Sequence, residues 1–505
     1  MAGAGSTAAS RPLRLWLELA GVAVLGALQT VASVHTALWA LPLVCAAGLA
    51  WRAAQATPWR AGGLGLAFGT AWVAAGTWWL YISMHQYGGL PAWMTVLAIA
   101  ALSAFLALYL AATLALFARW RSDRAGRDAL MFGAAWLLAE LARGVIFTGF
   151  PWAAAGYAQV DSPLAKLAPW IGVYGIGCVV AGLAAWAVFG GMQRERRWLG
   201  AAVSVVLLGV LAVLPAPQFS RASGTLAVTL LQGNIPQEEK FASSHQGAAL
   251  EWHVDGLVAA QSDLVIAPET AVPFLPQQMP EDFWPSLRGH FSSGRTHALF
   301  GVPLGNEDAG YTNSAVGFAP GRAGEYRYDK HHLVPFGEFI PFGFKWFTRL
   351  MDIPLGDFNR GALNQPSFAV KGERLAPNIC YEDLFGEELA ARFADAAGAP
   401  TMFANISNIG WFGDSIAIPQ HMHISRLRSL EFERPMLRAT NTGATVVIDH
   451  LGRVTHGLPA HTRGVLEATV QGRDGLTPFA WWAGRFGLWP LWLAGVALLA
   501  LPRRR

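Results

Sequence analysis

The distribution of apolar residues is what most constrains this chain. They dominate before about residue 215, give way to ordinary globular composition, and return after about residue 480. With 53% hydrophobic against 14% charged residues over 505 positions, the chain is too apolar for a soluble protein of its length. Crossing ~30 Å of hydrocarbon takes ~20 apolar residues in helical form. Stretches of that kind occur at 11–34, 61–82, 91–118, 129–148, 164–192 and 198–214, with a shorter one at 36–51 and a last at 486–501. The fold class expected is a polytopic α-helical membrane domain of about eight transmembrane helices plus an α/β domain in the polar middle. The first run is long and followed by others, so it reads as an uncleaved helix rather than a signal peptide.

Arginines mark every second connector: Arg11 and Arg14, then Arg52 and Arg60, then Arg119, Arg121, Arg124 and Arg127, then Arg194, Arg196 and Arg197, then Arg503, Arg504 and Arg505. The turns near His35, Tyr87 and Pro151 carry no lysine or arginine. The positive-inside rule puts both termini in the cytoplasm and the middle domain across the membrane. The net charge of +4 therefore reads as a topology signal, and no nucleic-acid partner is expected. The division expected is a transmembrane domain over 1–214, a linker over 215–224, an extracytoplasmic domain over 225–479, and a closing helix with its basic tail over 480–505. Within the membrane block, Glu140 and Arg143 are spaced to pair on one helix face, either as a structural pair or as a functional site at membrane depth.

The middle carries strand-like runs at 225–231, 263–267, 297–302, 314–318, 375–379, 401–406 and 445–448, with helical patterns at 247–261 and 421–433. Just beyond three of the predicted strands stand Glu269, Lys330 and Cys380, where sites of α/β folds gather. Cys45 and Cys178 lie in apolar runs and read as small buried hydrophobes. A thiol with a reference pKa of ~8.5 needs a base or a nearby cation to react near neutrality. Glu269 could be that base, with His331 and His332 as rivals. Lys330 could hold the thiolate and then an oxyanion, a role worth roughly 3 kcal/mol. Such a set performs acyl transfer through a thioester that an amine or water completes. His421 and His423 are two apart, which does not bring both to one helix face as metal ligands, and no phosphate loop is evident. No cofactor is expected.

The motifs carry a resemblance. Pro268-Glu269, Lys330 with Leu333-Val334-Pro335-Phe336-Gly337-Glu338, and Ile379-Cys380-Tyr381-Glu382 resemble the glutamate, lysine and cysteine stations of the carbon–nitrogen hydrolase, or nitrilase, superfamily. Thr148-Gly149-Phe150-Pro151-Trp152, Gln232-Gly233-Asn234-Ile235-Pro236-Gln237, Trp411-Phe412-Gly413-Asp414-Ser415, Arg438-Ala439-Thr440-Asn441 and Gly475-Leu476-Thr477-Pro478 are similar to the apolipoprotein N-acyltransferase family. The resemblance implies an αββα sandwich in the bacterial periplasm, carried by eight helices of the inner membrane. It implies a phospholipid acyl donor, a diacylated lipoprotein as acceptor, and a monomer. By the same matching Cys380 is the nucleophile, Glu269 the general base and Lys330 the oxyanion stabiliser. Glu338 is implied as a second acid, with Tyr381, Glu382 and Trp411 supporting the site. Two positions depart from the family pattern: Phe241 replaces a tryptophan, and Ile409 an aspartate.

Residues 336–347 are unusually aromatic for a loop, and read either as a buried core loop or as a lid dipping into the outer leaflet. Two other functions fit the residues less fully. One is a membrane-anchored amidase handing the thioester to water; the other is a transporter or receptor whose outer domain only binds.

Overall fold

The computed structural model describes residues 10–122, 124–192, 198–240, 243–341 and 358–500. The chain divides into two compact units, one of Met1–Tyr81, Ala92–Ala216 and Leu488–Arg505, the other of Ile82–Pro91 and Pro217–Gly487.

The first unit is helical: α1 (Ser10–Val34), α2 (Leu41–Ala53), α3 (Pro58–Gly76), α4 (Ala92–Trp120), α5 (Ala125–Val145), α6 (Ala168–Met192), α7 (Leu199–Val213) and a closing helix, Trp489–Leu499. Among the described residues, four segments are long and apolar enough to cross a membrane: Leu13–Val34, Ala92–Trp120, Ala125–Thr148 and Pro163–Met192. Leu41–Ala53, Leu199–Val213 and Trp489–Leu499 are apolar but shorter. The core of this unit joins Leu49, Leu64, Phe68, Phe117, Phe132 and Trp136.

The second unit is built on two six-stranded sheets. The first has the order β12-β1-β2-β3-β4-β5, with β1 Ser220–Gln232, β2 Leu264–Ile266, β3 His297–Asn306, β4 Gly310–Phe318, β5 Tyr326–Asp329 and β12 Gly464–Gly475. The second runs β11-β10-β9-β8-β7-β6, with β6 Phe368–Val370, β7 Glu373–Ile379, β8 Met402–Ser407, β9 Met436–Thr440, β10 Val446–Ile448 and β11 Val454–Gly457. Strand alternation builds the layers, because successive side chains point to opposite faces. Leu264 and Ile266 of β2, and Met402, Ala404 and Ile406 of β8, fill the core between the sheets. Val265 turns outward to meet Leu257, Leu287 and Phe291 of the helices Ser243–Ala259 and Phe283–Ser293. Phe403 turns outward to Phe432 and Phe479 of the helices Ala417–Phe432 and Pro478–Phe486. The result is the expected αββα stack.

Four strands carry no expectation from the sequence, β6, β9, β11 and β12, and β5 is expected only as the strand that Lys330 follows, without bounds. β1 also begins at Ser220 rather than Thr225, since its polar first half pairs with the polar end of β12.

Candidate active site

Three chain crossings at strand ends build the site. The first follows β2. Its pairing with β3 continues past the strand, with Ala267 N–H donating to Leu299 O and Gly301 N–H to Pro268 O. Gly301 is required there, because a β-carbon would lie 2.4 Å from Thr270 N and 2.7 Å from Glu269 Cα. The second crossing leaves β5, where Lys330 N–H donates to Asn313 O of β4 at 2.8 Å. The third is Cys380, which directly follows β7 and starts the short 3₁₀ turn Cys380–Leu384. Cys380 has φ +53°, Thr270 beside the glutamate +54°, and Phe336 in the loop of Glu338 +62°. Left-handed backbone at non-glycine residues costs of order 1–3 kcal/mol each, and here it recurs at every station.

Lys330, 1% exposed, places Nζ 2.9 Å from Glu338 Oε1 and 3.5 Å from Glu269 Oε1. Asn313 Nδ2 donates to both carboxylates, each at 2.7 Å. Asn408 N–H donates to the second oxygen of Glu269 at 2.8 Å, and Val334 N–H to that of Glu338 at 2.8 Å. Burial works against the ammonium, yet Glu338 and then Glu269 hold the Lys330 pKa above the usual lysine range. The half-buried Cys380 thiol is pushed up to about 12, first by burial and then by the Glu269 carboxylate. Lys330 and Ser407 pull it the other way. Ser407 Oγ, otherwise without a hydrogen-bond partner of ordinary geometry, lies close enough to the sulfur to do so. The resting site holds a neutral thiol beside a charged lysine.

Glu382 lies behind this group. Its carboxylate accepts from Ile379 N–H at 2.6 Å, Tyr328 Oη–H at 2.8 Å, His331 N–H at 2.7 Å and His332 N–H at 3.1 Å. Tyr381 is buried against the rings of His332 and Phe385. Trp411 stands on a separate turn, Ile409–Phe412, edge-on to Tyr87 at 5.8 Å. The two rival bases are committed elsewhere: His331 Nδ1 is 2.8 Å from Gly361 O, and His332 Nδ1 is 2.8 Å from Glu388 Oε1. Burial pulls the His332 pKa down to about 3, so its contact with Glu388 is the hydrogen bond of a neutral ring.

Ile409 is buried and occupies the space beside Gly443, where an apolar side chain fits. Phe241 and residues 342–347 of the aromatic loop lie outside the described residues. Before them, Phe336 N–H donates to Phe339 O, and the Arg360 guanidinium lies over the Phe339 ring at 5.4 Å. Asn313, Ser407 and Asn408 have no role in the sequence reading; Asn313 lies inside β4, Ser407 ends β8 and Asn408 follows it.

A four-layer sandwich that brings a cysteine, a glutamate and a lysine to its strand ends defines the carbon–nitrogen hydrolase class, and residues 227–475 match the family model described as carbon-nitrogen hydrolase. Residues 25–186 match a second, described as apolipoprotein N-acyltransferase N-terminal domain. The apolipoprotein N-acyltransferase of Verminephrobacter eiseniae is 53% identical over 476 residues, 89% of this chain and 89% of its own. That of Ralstonia nicotianae is 46% identical over 490 residues, 96% of this chain and 93% of its own. The chain belongs to the apolipoprotein N-acyltransferase family. Among solved structures, the carbon-nitrogen hydrolase from Helicobacter pylori G27 is 18% identical and covers 53% of this chain and 94% of its own, at a TM-score of 0.35 that adds nothing to the assignment.

Proposed function

We propose that this chain transfers an acyl chain from a phospholipid, through a thioester on Cys380, to the α-amino group of the N-terminal diacylglyceryl-cysteine of apolipoproteins, the last step of lipoprotein maturation. The observation that carries the reading is the placement of Glu269 and Lys330, 3.5 Å apart, where both act on the Cys380 thiol. A thiol with a pKa near 12 is almost wholly protonated at neutral pH, so its proton leaves as the new bond forms. Glu269 takes that proton while the sulfur attacks the ester carbonyl carbon. The developing oxyanion is stabilised by Lys330. Collapse breaks the carbon–oxygen bond, the lysophospholipid oxygen recovers the proton from Glu269, and the thioester remains. The acceptor amine then attacks the same carbon and gives a proton to Glu269. The amide forms and the thiol is restored, so the two half-reactions are ping-pong. Glu338 and Asn313 hold Lys330 and Glu269 in place.

In this reading the first unit is a transmembrane domain of about eight helices, counting the closing one, in the bacterial inner membrane. Both termini are cytoplasmic, the catalytic domain is periplasmic, and the enzyme is a monomer. The arginine-marked connectors and the four long apolar segments support it.

Intact mass of the purified protein after incubation with phospholipid tests the chemistry. An acyl adduct that hydroxylamine removes is expected on the wild type. Cys380→Ala should carry none, and Cys380→Ser should trap a hydroxylamine-resistant ester. Adding a diacylated lipopeptide should discharge the wild-type adduct onto its amine. A well-folded wild type that never acquires an adduct rejects the proposal, and discharge to free fatty acid alone points to hydrolysis.

A further inference from the structure

The acyl-transfer chemistry leaves unused a buried polar cluster that adjoins the nucleophile. Asp383 lies three residues past the nucleophile, His421 and Ser425 lie on the helix Ala417–Phe432, and Arg438 lies on β9; none is more than 1% exposed. Arg438 Nη1 donates to Asp383 Oδ2 at 3.1 Å, and Arg438 Nη2 is 3.2 Å from His421 Nδ1. A guanidinium can only donate, so His421 Nδ1 accepts and the ring proton sits on Nε2. That N–H faces two acceptors, Asp383 Oδ1 at 2.9 Å and the backbone carbonyl oxygen of Cys380 at 3.2 Å. Asn405 Nδ2 donates to the same carbonyl at 3.1 Å and to Asn378 Oδ1 at 2.6 Å.

The strand register explains why these groups meet. Asn378 pairs with Asn405, and Asn405 with Arg438, so three polar side chains stand in a row across β7, β8 and β9 on the outer sheet face. The helix Ala417–Phe432 covers that face, and its His421 and Ser425 both reach Asp383. Two donors therefore converge on the carbonyl of the one cysteine with left-handed backbone, while Glu382 accepts from the N–H of the residue before it. The nucleophile's backbone is pinned on both sides.

We propose that Asp383, His421 and Arg438 form a positioning clamp in which His421, as a locked neutral Nε2–H donor on the Cys380 carbonyl, fixes the nucleophile without transferring a proton. The clamp rests on Cys380 being the nucleophile. A displacement of about 1 Å in a reacting atom lowers rates by roughly a hundredfold. A loosened turn also exposes a thiol that burial otherwise keeps protonated, so clamp loss should slow acylation yet quicken alkylation.

The test uses the full chain in phospholipid nanodiscs and reads two rates on Cys380: acyl-adduct formation, and alkylation by iodoacetamide at pH 8. His421→Phe keeps a planar ring and removes the donor. His421→Gln brings an amide N–H to about the reach of Nε2 and cannot relay a proton. His421→Phe should acylate about a hundredfold more slowly and alkylate faster, with unchanged resistance to limited proteolysis. His421→Gln should recover acylation to within about tenfold of wild type, with a pH profile that superimposes on the wild-type one. The clamp is overturned by wild-type rates in His421→Phe, by folded His421→Gln failing as badly as His421→Phe, or by a pH profile that changes shape in His421→Gln. Should His421→Phe not fold, the rate and profile of His421→Gln decide alone. A wild type that never acylates, with alkylation still dependent on His421, would reject the acyl-transfer reading and leave the clamp standing.

Discussion

Glu140 and Arg143 in the helical unit, and Lys330 with Glu338 and Glu269 in the sandwich, are both buried groups of opposite charge, and they are satisfied differently. Glu140 Oε1 lies 3.6 Å from Arg143 and accepts from Ala155 N–H at 2.8 Å. Arg143 donates to Ala153 O at 2.9 Å and lies over the Trp72 ring. The two hydrogen bonds to Ala153 and Ala155 hold the turn at 146–155 back onto the helix that precedes it. Among the described residues Glu140 Oε2 and Arg143 Nε have no hydrogen-bond partner of ordinary geometry, and the small space beside them is lined by Trp72, Leu106, Leu110 and Trp136. Around Lys330, by contrast, three separate chain crossings converge, and a bridging amide serves both carboxylates. Charge buried in an apolar setting is common to both, so it does not identify the chemistry. Convergence from segments far apart in sequence is what sets the Lys330 group apart from the Glu140 pair.

The contrast can be broken most sharply at Glu269. Glu269→Gln removes the proposed base and should slow Cys380 acylation by about a thousandfold, within the 10²–10⁴ range of general-base contributions. The same change removes a negative charge that raises the thiol pKa. Wild-type alkylation should climb steeply between pH 9 and pH 12 as the thiol ionises, and in Glu269→Gln that climb should move to lower pH. Rates that fall together under both assays would show that the charge of Glu269 does not act on the sulfur.

Arg143→Met is next in size. It strands a buried carboxylate and should cost about 3–5 kcal/mol, read as a lowered thermal midpoint, with acylation per folded molecule unchanged. An adduct lost from folded Arg143→Met would move this pair into the chemistry. The smallest effect belongs to Glu140→Leu with Arg143→Met, which removes both charges together and should regain most of the stability that the single change loses. A double variant as unstable as the single one would mean that the bonds to residues 153 and 155, rather than the charges, hold the turn.

The sequence made some parts of this legible and hid others for physical reasons. Strands buried on both faces, such as β2 and β8, show as apolar runs. β9 places Arg438 between Leu437 and Ala439, a charge that reads as the end of a run until a facing aspartate is known. β12 alternates Leu466, Ala468 and Val470 with Glu467, Thr469 and Gln471, a solvated strand with few apolar positions to announce it. The three stations were visible because each stands at or shortly after a strand end, Lys330 and Cys380 directly after β5 and β7 and Glu269 three residues after the end of β2. Asn313 was not, because the apolar run that marks β4 starts one residue after it. His421 could be set aside as a metal ligand by its spacing. The hydrogen-bonding partners named for it come from the turn Cys380–Leu384 and from β9, which only the fold assembles. The helix there also starts at Ala417, before the visible pattern, since Pro419 is tolerated in a first turn.

Glu382 receives the backbone of the cysteine crossing through Ile379, and that of the lysine crossing through His331 and His332. One carboxylate is thus the shared reference point from which both loops are measured. A displacement of either loop therefore bears on the other through the same carboxylate. In the proposed reaction that link would keep the attacking sulfur and the stabilising ammonium in register.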